Sequence, residues 1–276
     1  MWGRSSDRTG IRFVDVDGVR LRTSVRGKGP PLLLITGLGA SLDLAEPFER
    51  ELAARGSQVV SFDAPGVGES TAYRLPRRMP GVARTVAKLA GALGYDRMDV
   101  LGVSLGGAVA QQLARQSPQL VRRLVLAATA AGLGGVPGSP RVLLALATPR
   151  RYYQPDYYRR IAGRIYGGQA RTDPDALLRG SVARFIERPS LRGYLSQLYA
   201  ISGWTSMPWL HKLRQPTLVL GGDDDPIVPL VNGRILAWRI PNARFHVIRG
   251  GHLFLLERPA ETADLVASFL NGPEPT

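Results

Sequence analysis

The chain lacks cysteine and contains little histidine. Its 276 residues include no cysteine, which excludes disulfide bonds and a thiol nucleophile. The only histidines are His211, His246 and His252. If one of them serves as a catalytic base, too few remain for a histidine-rich metal cluster. We therefore expect no bound metal and no cofactor.

Long hydrophobic runs are also missing. No stretch approaches the roughly twenty apolar residues that a membrane-spanning helix requires. Residues Met1 to Gly10 are polar and lack the apolar core of a secretory signal peptide. The sequence thus predicts a cytoplasmic protein that is not an integral membrane protein.

Negative charge is in short supply. The chain carries 36 lysine and arginine residues against 22 acidic residues, a formal net charge of +14, and nearly all the basic residues are arginines. A local excess of arginine at 150–164 is typical of a solvated face. No recognition motif accompanies the charge, so nucleic acid is not an expected partner. An anionic, lipid-coated particle fits the charge better, with binding that weakens in salt.

Strand-like and helix-like segments alternate along the chain, which indicates an α/β fold. After a strand predicted at 123–130, no further strand is predicted before Thr217. The interval is too long for a connection and too apolar for a disordered linker. We predict that residues 131–215 form an inserted helical cap on a core made of residues 1–130 and 216–276.

The pentapeptide Gly102-Val103-Ser104-Leu105-Gly106 lies between a predicted strand and a helix predicted from Ala108 to Arg115. A serine in such a turn is held in a strained conformation, with its hydroxyl exposed before a helix N-terminus. Glycines two positions away let the strand and the helix pass close together. A tight turn with an N-capping serine would use the same residues, but the strand-to-helix position favours a nucleophile. We predict that Ser104 is this nucleophile.

The catalytic base is predicted from chain order. In hydrolases built on this turn the order is serine, acid, histidine, so the base should lie near the C-terminus. His211 precedes every candidate acid, and His246 lies in an alternating run that predicts a structural histidine on a strand. His252 follows a Gly-Gly turn after that strand, where an imidazole can reach the serine. We predict that His252 is the base.

The acid is expected after the apolar run from Thr217 to Gly222, which predicts a buried strand and ends in three adjacent aspartates. Burying three neighbouring carboxylates together is costly, so two are expected in solvated turn positions. Spacing alone leaves both Asp223 and Asp225 open. Asp225 precedes Pro226, where similar α/β-hydrolases carry their acid in a G-x-x-D-P pattern. This resemblance selects Asp225.

The oxyanion site is expected to consist of two backbone amides. One belongs to Leu105, the residue after the nucleophile. By resemblance to α/β-hydrolases, the other belongs to Leu38 in the loop after the strand 31–35. Those proteins usually carry His-Gly where this chain has Thr36-Gly37. A dinucleotide-binding fingerprint in the same loop is disfavoured because its third glycine is replaced by Leu42.

Several further stretches, many of them in the predicted cap, resemble the intracellular poly(3-hydroxyalkanoate) depolymerases. They are residues 126–132, 149–152, 165–168, 203–206, 209–212 and 236–243. The resemblance implies an α/β-hydrolase fold with a mostly parallel, eight-stranded sheet flanked by helices. It also implies a triad of Ser104, Asp225 and His252, and a polyester substrate with medium-length side chains stored in granules. The family commonly places tryptophan after the nucleophile, whereas this chain has Leu105, which bears on the shape of the acyl pocket.

Three other functions fit parts of the pattern. A carboxylesterase or lipase acting on small or monomeric esters would use the same residues. A dehalogenase or epoxide hydrolase needs an aspartate nucleophile, which Ser104 disfavours. A non-catalytic receptor or granule-coat protein on the same fold is disfavoured by the complete triad. The sequence therefore predicts a serine hydrolase that cleaves ester bonds.

Overall fold

One eight-stranded sheet organises the protein, whose computed structural model describes residues 10–175 and 188–273. The strands are β1 (Ile11–Val16), β2 (Val19–Arg26), β3 (Pro31–Ile35), β4 (Gln58–Phe62), β5 (Met98–Val103), β6 (Val121–Ala127), β7 (Thr217–Gly222) and β8 (Ala243–Ile248). Their order in the sheet is β1-β2-β4-β3-β5-β6-β7-β8. The β1-β2 and β2-β4 pairs are antiparallel, and the other neighbouring pairs are parallel. The predicted mostly parallel sheet is confirmed.

Helices cover the sheet and follow most of its strands. Within the described residues they are α1 (Leu42–Ala54), α2 (Met79–Ala92), α3 (Leu105–Gln116), α4 (Pro140–Leu146), α5 (Arg150–Tyr153), α6 (Pro155–Tyr166), α7 (Leu191–Ile201), α8 (Val231–Arg239), α9 (Phe254–Glu257) and α10 (Pro259–Asn271). Strand β3 shows why both faces are covered. Leu33 and Ile35 pack in one buried cluster with α2 and α3, while Leu32 and Leu34 pack in another with α1 and α10. A strand buried on both faces reads as a continuous apolar run.

The helices α4 to α7 all lie between β6 and β7 in the chain. Part of this segment has a hydrophobic cluster of its own, formed by Val142, Tyr158, Ala162, Ile165, Tyr166 and Ala170. Residues 176–187 of the predicted cap lie outside the described residues. Residues 1–9, which make up most of the segment predicted not to be a signal peptide, also lie outside the described residues. No helix in the described ranges is long and apolar enough to cross a membrane.

Strand β6 begins at Val121, two residues before its predicted start. Two further boundaries differ from those predicted, both at the carboxyl edge of the sheet. The strand predicted at 123–130 ends at Ala127, because Ala128 adopts a φ of +49° and turns the chain out of the sheet. The helix expected from Ala108 begins three residues earlier, at Leu105, directly after the predicted nucleophile. Both differences tighten the turns at the carboxyl edge of the sheet, where the predicted site residues lie.

Candidate active site

Ser104 lies at the turn between β5 and α3 in a strained backbone conformation, with φ 55° and ψ −118°. Two hydrogen bonds from outside the turn hold it there. The Ser104 amide donates to the carbonyl oxygen of Ala127 at 2.9 Å, and the Thr129 hydroxyl donates to the Ser104 carbonyl oxygen at 2.7 Å. Such a conformation persists only where its surroundings enforce it, which makes it an indication of function.

The glycines around Ser104 are required by close backbone approach. A Cβ on Gly102 would lie 2.7 Å from the Cα of Gly107, on the helix that follows. A Cβ on Gly106 would lie 2.6 Å from the carbonyl oxygen of Thr36, at the end of the neighbouring strand. Real side chains do not tolerate such contacts, so only glycine lets β5, α3 and the loop after β3 converge on the serine.

The structure brings Ser104, His252 and Asp225 together in one chain of hydrogen bonds. His252 Nε2 lies 3.0 Å from Ser104 Oγ, and His252 Nδ1 lies 2.7 Å from Asp225 Oδ2. His252 and Asp225 are buried. A neutral imidazole that donates from Nδ1 to the carboxylate presents an unprotonated Nε2 to the hydroxyl. This arrangement can remove the proton from Ser104.

The three adjacent aspartates have three different sets of partners. Asp225 uses its other oxygen to accept from the amides of Ile227 and Val228, both at 2.9 Å. Asp223 is exposed and accepts from the amide of Gly250 at 2.8 Å. Asp224 pairs with Arg171 at 2.6 Å, and the hydrogen bond from that guanidinium lowers the pKa of the Asp224 carboxyl below its usual value. Only Asp225 therefore contacts the histidine in the described structure.

The loop of His252 is held by the end of α6. The His252 amide donates to the carbonyl oxygen of Tyr166 at 2.7 Å. A Cβ on Gly251 would lie 2.7 Å from the amide nitrogen of Gly168, so the glycine turn predicted before His252 is needed for this approach. The other two histidines are not brought to the site. His246 is exposed on edge strand β8, and His211 is exposed in a short 3-10 helix.

Both predicted oxyanion donors lie beside the serine. Leu105 is the first residue of α3, so its amide precedes the hydrogen-bonded turns of the helix. Leu38 shares a cavity wall with Ser104, and a Cβ on Gly37 would lie 3.3 Å from the Ser104 Cβ. Within the described residues, the Leu38 amide donates to no other protein group. These two amides are therefore available to a ligand oxygen.

A cavity of about 130 Å³ opens in front of Ser104 and His252. Its walls are mostly apolar. The apolar lining residues include Leu34, Leu44, Phe48, Leu146, Ile227 and Leu253. Such a cavity suits an aliphatic acyl group. Among the described residues, no cluster of histidine and acidic side chains has a metal-binding arrangement.

Sequence reasoning missed the polar residues that also line this cavity. Arg151 belongs to the arginine-rich stretch that was predicted to be a solvated face, but it is only 2% exposed. Its guanidinium donates to the hydroxyls of Tyr166 and Tyr194 at 3.1 and 2.6 Å. No local pattern distinguishes a buried arginine from its solvated neighbours, because its partners are distant in the chain.

Comparison with known proteins agrees with the geometry. The family model of the α/β hydrolase fold matches residues 30–259, and the chain belongs to this family. A poly(3-hydroxyalkanoate) depolymerase of Ectopseudomonas oleovorans is 49% identical over 94% of this chain and 92% of that protein. The resemblance predicted from the sequence is thereby confirmed.

More distant similarities concern the fold. A 2-hydroxy-6-oxo-6-phenylhexa-2,4-dienoate hydrolase of Comamonas testosteroni is 27% identical, over 97% of each chain. The crystal structure of the enol-lactonase from Burkholderia xenovorans LB400 superposes with a TM-score of 0.82 at 24% identity. It covers 95% of this chain and 100% of that one, and at this identity it shows the shared fold alone.

Proposed function

We propose that this protein is a serine hydrolase that cleaves the ester bonds of a poly(3-hydroxyalkanoate). The observation that carries the proposal is the hydrogen-bonded chain from Asp225 through His252 to Ser104. In this proposal Ser104 is the nucleophile, His252 the general base and Asp225 the residue that orients the imidazole. The amides of Leu38 and Leu105 bind the oxyanion.

The proposed reaction has two steps. His252 Nε2 takes the proton of Ser104 as its oxygen attacks the ester carbonyl, and the negative charge moves to the carbonyl oxygen between the two amides. The tetrahedral intermediate then collapses, the C–O ester bond breaks, and His252 returns the proton to the leaving alcohol. A water molecule activated by His252 hydrolyses the acyl enzyme and releases the hydroxy acid. The reaction uses no cofactor.

The proposed substrate is a storage polyester with medium-length aliphatic side chains. The depolymerase of Ectopseudomonas oleovorans supports this choice through its identity with the present chain. The apolar cavity supports it independently, because an alkyl side chain gains about 0.8 kcal/mol for each methylene that it buries there. A 3-hydroxyacyl unit has one ester carbonyl and one such side chain, which matches a site with one serine and an apolar wall.

We also propose that residues 131–215 act as a cap over a core of residues 1–130 and 216–276. The position of α4 to α7 between β6 and β7 supports this division. So do the contacts of Tyr152 and Tyr166 with the cavity that contains Ser104. In this arrangement the cap shields the acyl enzyme from bulk water and forms part of the acyl pocket.

The decisive test compares polymer with soluble ester. The unmodified protein is expected to hydrolyse amorphous polyhydroxyoctanoate, measured as release of hydroxy acid, and Ser104→Ala should be inactive while retaining its fold. Hydrolysis of p-nitrophenyl esters without polymer hydrolysis would instead favour a carboxylesterase of small esters. If Ser104→Ala retained full activity, the assigned nucleophile would be wrong.

For location, we propose the cytoplasm, with attachment to polymer granules or anionic lipid surfaces. Helix α7 exposes Leu191, Leu195 and Tyr199 at four-residue spacing, and the Arg78 guanidinium lies 4.1 Å from the Tyr199 ring centre. An apolar stripe beside arginine suits an apolar particle with an anionic coat. Leu195→Asp should reduce cosedimentation with granules, whereas Val247→Asp on edge strand β8 should not. Equal cosedimentation of both variants would refute this assignment of the surface.

A further inference from the structure

The loop that carries the Leu38 amide is a tight turn. The Ala40 amide donates to the Gly37 carbonyl oxygen at 3.1 Å, and Gly39 has a φ of +72°. Positive φ at the third residue is the signature of a type II turn. Turns of type I and type II differ by rotation of the peptide between their two central residues, here Leu38 and Gly39. The contacts of this peptide therefore oppose its rotation and help to hold the loop, together with the hydrogen bond from the Thr36 hydroxyl to the Ala40 carbonyl oxygen at 3.0 Å.

The carbonyl oxygen of Leu38 and the amide of Gly39, the two polar groups of that peptide, both form hydrogen bonds with side chains that lie between β6 and β7 in the chain. The Tyr152 hydroxyl donates to the Leu38 carbonyl oxygen at 2.7 Å. The Gly39 amide donates to Gln197 Oε1 at 2.8 Å. Arg151 Nη2 adds a longer contact to the same carbonyl, at 3.5 Å. In the part of the chain that the structure describes, no side chain of the sheet or its flanking helices binds either group.

The residues behind this contact are themselves fixed. Arg151 is buried, and no carboxylate pairs with it in the described ranges. Its guanidinium donates to Tyr194, whose hydroxyl donates in turn to the Leu146 carbonyl oxygen at 2.6 Å. Burial raises the pKa of Tyr194 to about 12, which keeps that hydroxyl protonated. Arg151 also donates to Tyr166, whose carbonyl oxygen holds the His252 amide. The cluster formed by Arg151, Tyr152, Tyr166 and Tyr194 thus contacts both the oxyanion loop, which carries the Leu38 amide, and the loop that carries His252.

Steric fit supports the same arrangement. A Cβ on Gly39 would lie 2.9 Å from Cε2 of Tyr152 and 3.1 Å from Cδ2 of Tyr194. The turn is therefore pressed against the two rings as well as hydrogen-bonded. A loop held in this way needs little reorganisation when charge develops on the substrate oxygen.

We infer that Tyr152 and Gln197 are positioning residues that hold the oxyanion loop in its active conformation. The inference rests on the proposed function, because it takes the Leu38 amide as an oxyanion donor. A residue that acts through this amide stabilises the transition state more than the bound ester. Its loss should consequently lower kcat and leave KM nearly unchanged.

The test uses Tyr152→Phe and Gln197→Met with a soluble p-nitrophenyl ester. Each variant loses one hydrogen bond to the loop, and kcat is expected to fall about tenfold in each. The affinity for a trifluoromethyl ketone, which forms a tetrahedral adduct with the serine, should fall by a similar factor. The matched control is Tyr95→Phe. It removes a hydroxyl that donates to Gln58 at 2.9 Å near the starts of β4 and β5, and kcat should not change.

Either of two results would overturn the inference: kcat within twofold of the unmodified protein in both variants, or a rise in KM at constant kcat. If one variant fails to fold, the other decides. If only the proposed substrate is wrong, the unmodified protein cleaves soluble esters but not polymer. The ratio of each variant's kcat to that of the unmodified protein then still tests the inference. If the unmodified protein cleaves neither, the proposed function fails, and the rate of Ser104 labelling by a fluorophosphonate replaces kcat as the readout.

Discussion

Glu49 is a buried carboxyl group that should make the stability of the protein depend on pH. It lies on α1, its side chain is 1% exposed, and the nearest cation, Arg26 Nε, is 3.9 Å away. Burial raises the pKa of Glu49 from 4.5 to about 7. The unfolded chain therefore loses this proton at lower pH than the folded protein does. As pH rises from 4.5 to 7, the contribution of Glu49 to the free energy of unfolding falls, and above pH 7 this contribution levels off.

The size of the effect follows from the pKa difference. Each pKa unit corresponds to about 1.4 kcal/mol, so a shift of this size costs about 3 kcal/mol once both states are ionised. Most of that loss falls between pH 5 and pH 8. Glu49→Gln removes the titrating group and keeps the shape of the side chain. The free energy of unfolding of this variant, minus that of the unmodified protein, should rise by about 2 to 3 kcal/mol as pH increases from 5 to 8.

Urea unfolding at a series of pH values measures this difference. Other buried carboxyls, such as Asp63, whose pKa burial raises to about 6, titrate in both proteins and cancel in the comparison. Glu51→Gln makes the same change in charge on the same helix at a partly exposed side chain, and it serves as the matched control for the loss of charge alone. If the difference in unfolding free energy between Glu49→Gln and the unmodified protein stays constant with pH, or falls as pH rises, the reasoning is refuted.

Two further predictions concern the site. Asp225→Asn should lower kcat about 10⁴-fold, because an asparagine favours the wrong imidazole tautomer, whereas Asp223→Asn should cost less than tenfold in the same ester assay. Equal losses would show that the acid is wrongly assigned. Gly106→Ala should destabilise the protein by about 3 kcal/mol or more, measured as a lower urea midpoint, because its Cβ would lie 2.6 Å from the Thr36 carbonyl oxygen. An unchanged midpoint would show that the turn has more room than the structure allows.

The fold was predictable where local pattern and burial agree. The apolar runs of β3 and β7 are continuous because both faces of those strands are covered, and their predicted bounds match the structure. The end of β6 was not predictable in the same way. Ala128 has ordinary strand neighbours, and its positive φ is enforced by the turn toward Thr129 and Ser104. Backbone conformations imposed by distant contacts leave no signal in composition.

For the site, the candidate residues could be chosen from the sequence alone. The glycine spacing around Ser104 and the scarcity of histidine are properties of the chain, since close backbone approach requires glycine and a base requires imidazole. Tertiary structure decided which aspartate faces His252, because side-chain direction after a strand depends on the turn that follows. It also decided that Arg151 is buried beside the oxyanion loop, which no spacing rule predicts. Those choices depend on contacts between residues far apart in the chain, and such contacts exist only after folding.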